Sequence, residues 1–148
     1  MFNSNKDRAP NIGVLHGAWG ETVASKYLKG RGYVILERNA RPCKDDARLE
    51  IDIVAYSSSG SVIVFVEVKQ HASRSAYQRR LRSIDARKRR LMRRVCKAWL
   101  MQKHWAGAYR FDVIEVYGTP SGATAPEIDH IERVNIFASR EKYVNWSE

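Results

Sequence analysis

The chain has 148 residues, 44% of them hydrophobic, and carries 26 Lys and Arg against 16 Asp and Glu, a net charge of +10. That length and apolar share fit one folded domain and exclude a disordered chain, and no apolar run reaches the ~18 residues of a membrane span. The charge surplus favours a polyanionic partner, nucleic acid before an anionic membrane surface.

Residues 1–12 begin "MFNSNKDRAP", polar and without the apolar centre of a signal peptide, so they read as a flexible lead-in and the expected compartment is the cytoplasm. From Leu15 to Lys29 the spacing predicts a helix: Trp19, Val23 and Tyr27 form one i, i+4 row, and Gly20, Ala24 and Leu28 the next. Gly30 and Gly32 stop it. "YVILERN" predicts a strand, and "RPCKDD" a polar loop. "LEIDIVAYSSSGSVIVFVEVKQ" predicts a hairpin, two β-branched runs about a Ser/Gly turn. After an irregular stretch over 71–83, Ser83 can cap a helix running to about His104, with Asp85 in its first turn. Leu91, Val95, Ala98 and Trp99, flanked by Met92 and Cys96, give that helix its apolar side. "YRFDVIEVYG" is a further strand and "EIDHIERV" a weak last one. The order is αβββαββ: an antiparallel meander, then a helical crossover that lets the fourth strand pair in parallel, an α/β sandwich on a mixed sheet. Residues 13–137 form the single domain and 138–148 a tail. Cys43 and Cys96 lie far apart, with no zinc spacing and no disulfide framework.

The hairpin holds the chemistry. Side chains alternate along a strand, so Phe65, Glu67 and Lys69 share one face, and Glu50, Asp52 and Val54 share a face of the first arm. With Ser59 and Gly60 as central turn residues, opposed positions sum to 119, and Asp52 lies opposite Glu67 with Cβ atoms about 4.5–5.5 Å apart. Carboxylates that close repel, and a divalent cation relieves this. Mg²⁺ or Mn²⁺ takes hard oxygen ligands, and Lys69 reaches the same spot. The plain alternative is a solvated strand face, since Glu-Val-Lys is common in alternating strands. Glu50 is a ligand or merely a neighbour at the start of its strand. Glu21 sits at the edge of the apolar sector of the first helix, either aimed at the metal or simply exposed.

From Lys69 through Arg110 there are 14 Lys and Arg and one acid, Asp85. "DARKRRLMRR" places Arg89, Arg90, Arg93 and Arg94 away from Leu91 and Val95, a surface suited to phosphates, although a basic run can also be a solvated face. Tyr77, between Arg74 and the pair Arg79 and Arg80, either stacks on a base or anchors its loop. No motif for reading the major groove or RNA bases is present, so contact with the nucleic-acid backbone is expected.

"HGAWGETVASKYLKGRGYVILERN", "EIDIVA", "VFVEVK", "IDARKRRL", "RFDVIEV" and "IDHIERV", in this order, resemble the YraN-like family of uncharacterised bacterial proteins. That family looks like the Holliday-junction-resolvase branch of the PD-(D/E)XK nucleases, which implies a restriction-endonuclease-like three-layer sandwich over about residues 13–137. The resemblance implies catalytic roles for Asp52, Glu67 and Lys69, with Asp52 and Glu67 as metal ligands. It makes Glu21 an added ligand, gives Lys88 the place of the family's second-helix Lys, and sets Gln70 beside phosphate or water. Leu49 stands where the family usually has Gly, and His71 where it usually has a basic residue. The implied function is an Mg²⁺- or Mn²⁺-dependent endonuclease acting on DNA, branched or damaged forms included. The alternatives are a non-cutting nucleic-acid-binding module on the same fold and an RNA-associated basic protein. No membrane partner is expected, and homodimerisation stays open because resolvase-like enzymes often pair two sites.

Overall fold

The computed structural model describes residues 11–74 and 86–137. Its elements are α1 (Ile12–Gly30), β1 (Val34–Ala40), β2 (Ile51–Tyr56), β3 (Val62–His71), α2 (Ala86–Gln102), β4 (Ala108–Tyr117) and β5 (Glu127–Ile131). The Asn11 side chain accepts a hydrogen bond from the Gly13 N–H at 2.8 Å and opens α1 at Ile12, three residues before the expected start at Leu15. Gly32, at φ +88°, turns the chain out of the helix. The expected Ser83 cap, Asp85, Tyr77, Arg79 and Arg80 lie outside the described residues, as do the first ten residues and the tail.

The sheet runs β1-β2-β3-β4-β5. β1, β2 and β3 form the antiparallel meander, the crossover through α2 makes β4 parallel to β3, and β5 returns antiparallel to β4. The β2–β3 register pairs Ile53 with Val66 and Tyr56 with Ile63, the register the Ser/Gly turn dictates. The turn itself differs in detail. Its closing bond runs from the Gly60 N–H to the Ser57 carbonyl at 2.8 Å, so Ser58 and Ser59 are central and Gly60 follows at φ +75°.

A β-strand sheet this apolar must be covered on both faces. α1 lays Ala24 and Leu28 over Ile53, Val64, Val66, Ile114 and Val116. α2 lays Met92, Val95, Cys96, Trp99 and Leu100 over Val54, Ile63, Phe65, Phe111 and Val113. The buried stripe of α2 thus lies one step round from the expected Leu91–Ala98 edge, both of which are half-buried. Phe65 meets Trp99 edge-on, ring centroids 5.6 Å apart. Leu49 is fully buried in this second cluster, where its side chain fills space a Gly would leave. The three-layer α/β sandwich has the element order expected from the sequence.

The weak last strand is held by polar contacts more than by apolar ones. Asp112 is fully buried, accepts from Arg110 at 3.1 Å and from the Arg133 backbone N–H at 3.0 Å, and contacts His130 at 2.8 Å. Arg110 also donates to the Tyr33 hydroxyl at 2.8 Å. The buried charges of Arg110 and Asp112 are therefore paired, as burial demands. On the outer side, Arg74 binds Asp129 and Glu127 and lies over the Tyr117 ring at 4.3 Å.

Candidate metal centre

Three elements deliver acids to one end of the sheet. Gly20 eases this approach: a Cβ there would stand 3.0 Å from the Cβ of Gln70, so any larger residue would make α1 or β3 give by a few tenths of an ångström. The next residue, Glu21, then reaches the start of β2. Glu21, Glu50 and Asp52 each offer a carboxylate oxygen, all within 4.8 Å of one another. Glu50 lies just before β2 rather than on it, and Ile51 joins the α2-side cluster with Val54. The strict alternation expected for this arm therefore fails at its first turn into the strand.

The β2–β3 ladder ends at Ile53 and Val66. Beyond it Asp52 does not simply face Glu67: its Oδ2 accepts the Val68 backbone N–H at 2.8 Å, replacing a ladder bond. Burial pushes the Asp52 carboxyl up to about 8, and the charges of Glu67, Glu21 and Glu50 add to this against the Val68 hydrogen bond. Glu67 is thus close enough to act on Asp52, yet it stands outside the group of three. Its Oε1 lies 3.2 Å from Lys88 Nζ on α2.

The counter-ions sort the acids. Arg41 holds Glu50 through two nitrogens at 2.7 and 2.8 Å. Arg38 lies 3.8 Å from Glu21. Asn39 donates to both Glu21 and Glu50 at 3.0 Å. It does so from a left-handed backbone at φ 50°, which Asn tolerates better than most residues. Asp52 has no cationic partner among the described residues to offset the burial and the neighbouring carboxylates that suppress its charge. Lys69 also forms no ion pair among them. It pairs in register with Glu115, whose buried carboxylate is taken by His71. Sequence reasoning missed Asn39, Arg38 and Arg41. The one signal it had was an Asn closing a strand, a residue type that accepts positive φ.

The expected phosphate contacts divide. Arg89, Arg90 and Arg93 line one flank of α2, around an open groove of about 240 Å³ shared with Asn135, Ile136 and Phe137. Arg94 is exposed on the other flank, where its charge acts on Asp46 behind the stronger hydrogen bonds from Arg48. Arg74 clamps β5, Lys88 meets Glu67, and Gln70 donates to the Gly118 carbonyl at 2.5 Å. Cys43 and Cys96 are free. Among the described residues no helix is long and apolar enough to cross a membrane.

The pattern of the "Uncharacterised protein family UPF0102" matches residues 20–116. A UPF0102 protein of Geotalea uraniireducens is 38% identical over 129 residues, 86% of this chain and 93% of that one. A UPF0102 protein of Mycobacterium tuberculosis is 36% identical over 124 residues, covering 82% and 92%. One from Clostridium botulinum is 41% identical over 102 residues, covering 68% and 77%. Among solved structures, Pyrococcus furiosus SfsA in complex with Ca²⁺ is similar at a TM-score of 0.34 and 16% identity, over 81% of this chain and 63% of that one. With the matched segment running from Gly20 at the head of the acidic site to Val116 in β4, the chain belongs to the uncharacterised protein family UPF0102, the YraN family that its motifs resemble.

Proposed function

We propose that this protein is an Mg²⁺- or Mn²⁺-dependent endonuclease that hydrolyses phosphodiester bonds in DNA, branched or damaged forms included. The observation that carries this reading is the convergence of Glu21, Glu50 and Asp52 within 4.8 Å, with Glu67 beside them and Lys69, which forms no ion pair among the described residues, two residues further along β3. Arg41, Arg38 and Asn39 partner Glu50 and Glu21, but Asp52 has no cation among the described residues, and suppressing its charge is a cost. The donors are carboxylate oxygens with no thiol or imidazole in the group, a set that suits Mg²⁺ or Mn²⁺ over zinc.

Asp52 and Glu67, supported by Glu21 and Glu50, would hold a divalent ion, which would supply Lewis acidity toward the scissile phosphate and an acidic bound water. The Lys69 ammonium stabilises the negative charge that develops on the phosphoryl oxygens, or orients the attacking water. Arg89, Arg90, Arg93 and Arg94, with Arg79 and Arg80 of the same basic stretch, bind the backbone without reading bases. The +10 charge draws the polyanion in.

The test is purified protein with duplex, single-stranded, flap and four-way DNA and with RNA, each in Mg²⁺, Mn²⁺ or chelator. Metal-dependent cleavage of at least one DNA, abolished in chelator and in Asp52→Asn, is the expected result. Salt-sensitive binding without any cleavage would instead assign the chain to the non-cutting binding modules.

A further inference from the structure

We propose that Lys88 is a displaceable counter-ion for Glu67: a cation carried by the nucleic-acid-binding helix that occupies the acid while no metal is bound, and leaves it for phosphate when substrate arrives. This rests on the reading above of the acidic group as a metal centre. Three observations carry it. First, Glu67 stands outside the group formed by Glu21, Glu50 and Asp52, and its Oε1 is turned to Lys88 Nζ at 3.2 Å. Second, the other counter-ions are fixed differently. Arg41 grips Glu50 through two nitrogens, and comes from the same end of the sheet. Lys88 offers a compact ammonium on a flexible stem, its side chain 42% exposed while that of Glu67 is 14% exposed. Third, Lys88 is followed on α2 by Arg89, Arg90, Arg93 and Arg94, so an approaching phosphodiester reaches the neighbourhood of Lys88 as it reaches the helix.

The consequence is a competition. A cation and a divalent ion cannot both use the same carboxylate at full strength, so Lys88 weakens metal binding in the free protein. A phosphate that takes Lys88 releases Glu67, and metal and nucleic acid then favour each other's binding, reciprocally. The Lys88 end of the contact is open to solvent, so the ammonium can leave for phosphate without crossing the protein interior.

The experiment is an Mn²⁺ titration followed by electron paramagnetic resonance, without nucleic acid, on wild type, Lys88→Met, Lys88→Arg, Lys97→Met and Asp52→Asn. Lys97 is exposed on the same helix, nine residues further along, and its variant reports the general effect of removing one positive charge. Lys88→Met is expected to bind Mn²⁺ about two- to fivefold more tightly than wild type, the range an exposed ion pair supplies, with Lys88→Arg and Lys97→Met near wild type. In a Glu67→Gln background the gain from Lys88→Met should vanish. Unchanged or weaker binding by Lys88→Met, with Asp52→Asn still losing the ion, overturns the counter-ion role and leaves the metal centre standing. Wild-type affinity in Asp52→Asn, or no Mn²⁺ binding by wild type, overturns both.

Discussion

Asp52→Asn should stabilise the metal-free protein, and should do so most at neutral to alkaline pH. Asp52 titrates near 8 in the folded protein against an ordinary value of 3.8. Between those values the folded state holds a proton the unfolded chain has lost. Wild-type stability therefore falls as pH rises from about 4, and levels off above about 8. At pH 7 roughly three of these four units apply, and at about 1.36 kcal/mol each they set a ceiling of about 4 kcal/mol. Proton sharing with Glu67 and entry of water reduce the penalty. Asn removes the titration but keeps an oxygen to accept the Val68 N–H, so the bond that ends the β2–β3 ladder survives. The expected gain is about 1–3 kcal/mol at pH 7 to 8, shrinking to nothing near pH 4. Urea unfolding in chelator at about pH 4, 5.5, 7 and 8 measures it. Equal stability of the two proteins at pH 8, or a gain largest in acid, would refute the argument that burial and neighbouring carboxylates suppress this charge.

Lys69→Ala should slow single-turnover cleavage by about 10²–10³-fold with little change in DNA or metal affinity, and Lys69→Arg should rescue poorly because a planar fork does not replace an ammonium; a wild-type rate in Lys69→Ala removes it from the mechanism. Replacing Arg89, Arg90, Arg93 and Arg94 together with Ala should flatten the salt dependence of DNA binding while circular dichroism stays unchanged, since each lost phosphate contact lowers the slope by about one; an unaltered slope places the contact elsewhere. Gly20→Ala should destabilise by about 1 kcal/mol or more despite the better helix propensity of Ala, because the new methyl meets the Gln70 Cβ at 3.0 Å, and thermal melts showing a gain would mean that α1 is free to shift.

The fold was legible because its signals are local. β-branched runs, a Ser/Gly turn and two glycine stops set the elements, and the turn alone set the register that brings Asp52 near Glu67. The site was legible to the extent that it rides on that register. Its remainder depends on contacts between residues far apart in the chain, which periodicity does not carry. Nothing in "RKRR" says that its Lys turns inward to Glu67 while its Arg residues stay outside. Nothing about Arg74 says that it binds Asp129, 55 positions away. The counter-ions of Glu21 and Glu50 were hidden for another reason. Arg38, Asn39 and Arg41 sit where β1 ends beyond a register shift between Ile35 and Glu37, and a bulge changes which side chains share a face.

Where the divalent ion sits is the claim on which the rest depends. Crystals equilibrated with Mn²⁺, with diffraction recorded at the manganese edge, would locate it without reference to activity. The account predicts an anomalous peak within ligand distance, about 2.0–2.3 Å, of the Asp52 carboxylate, with Glu67 or Glu21 as a further ligand and Lys88 turned away from Glu67. A peak only at other acids such as Asp46, or no peak at an Mn²⁺ concentration that saturates binding in solution, would contradict it.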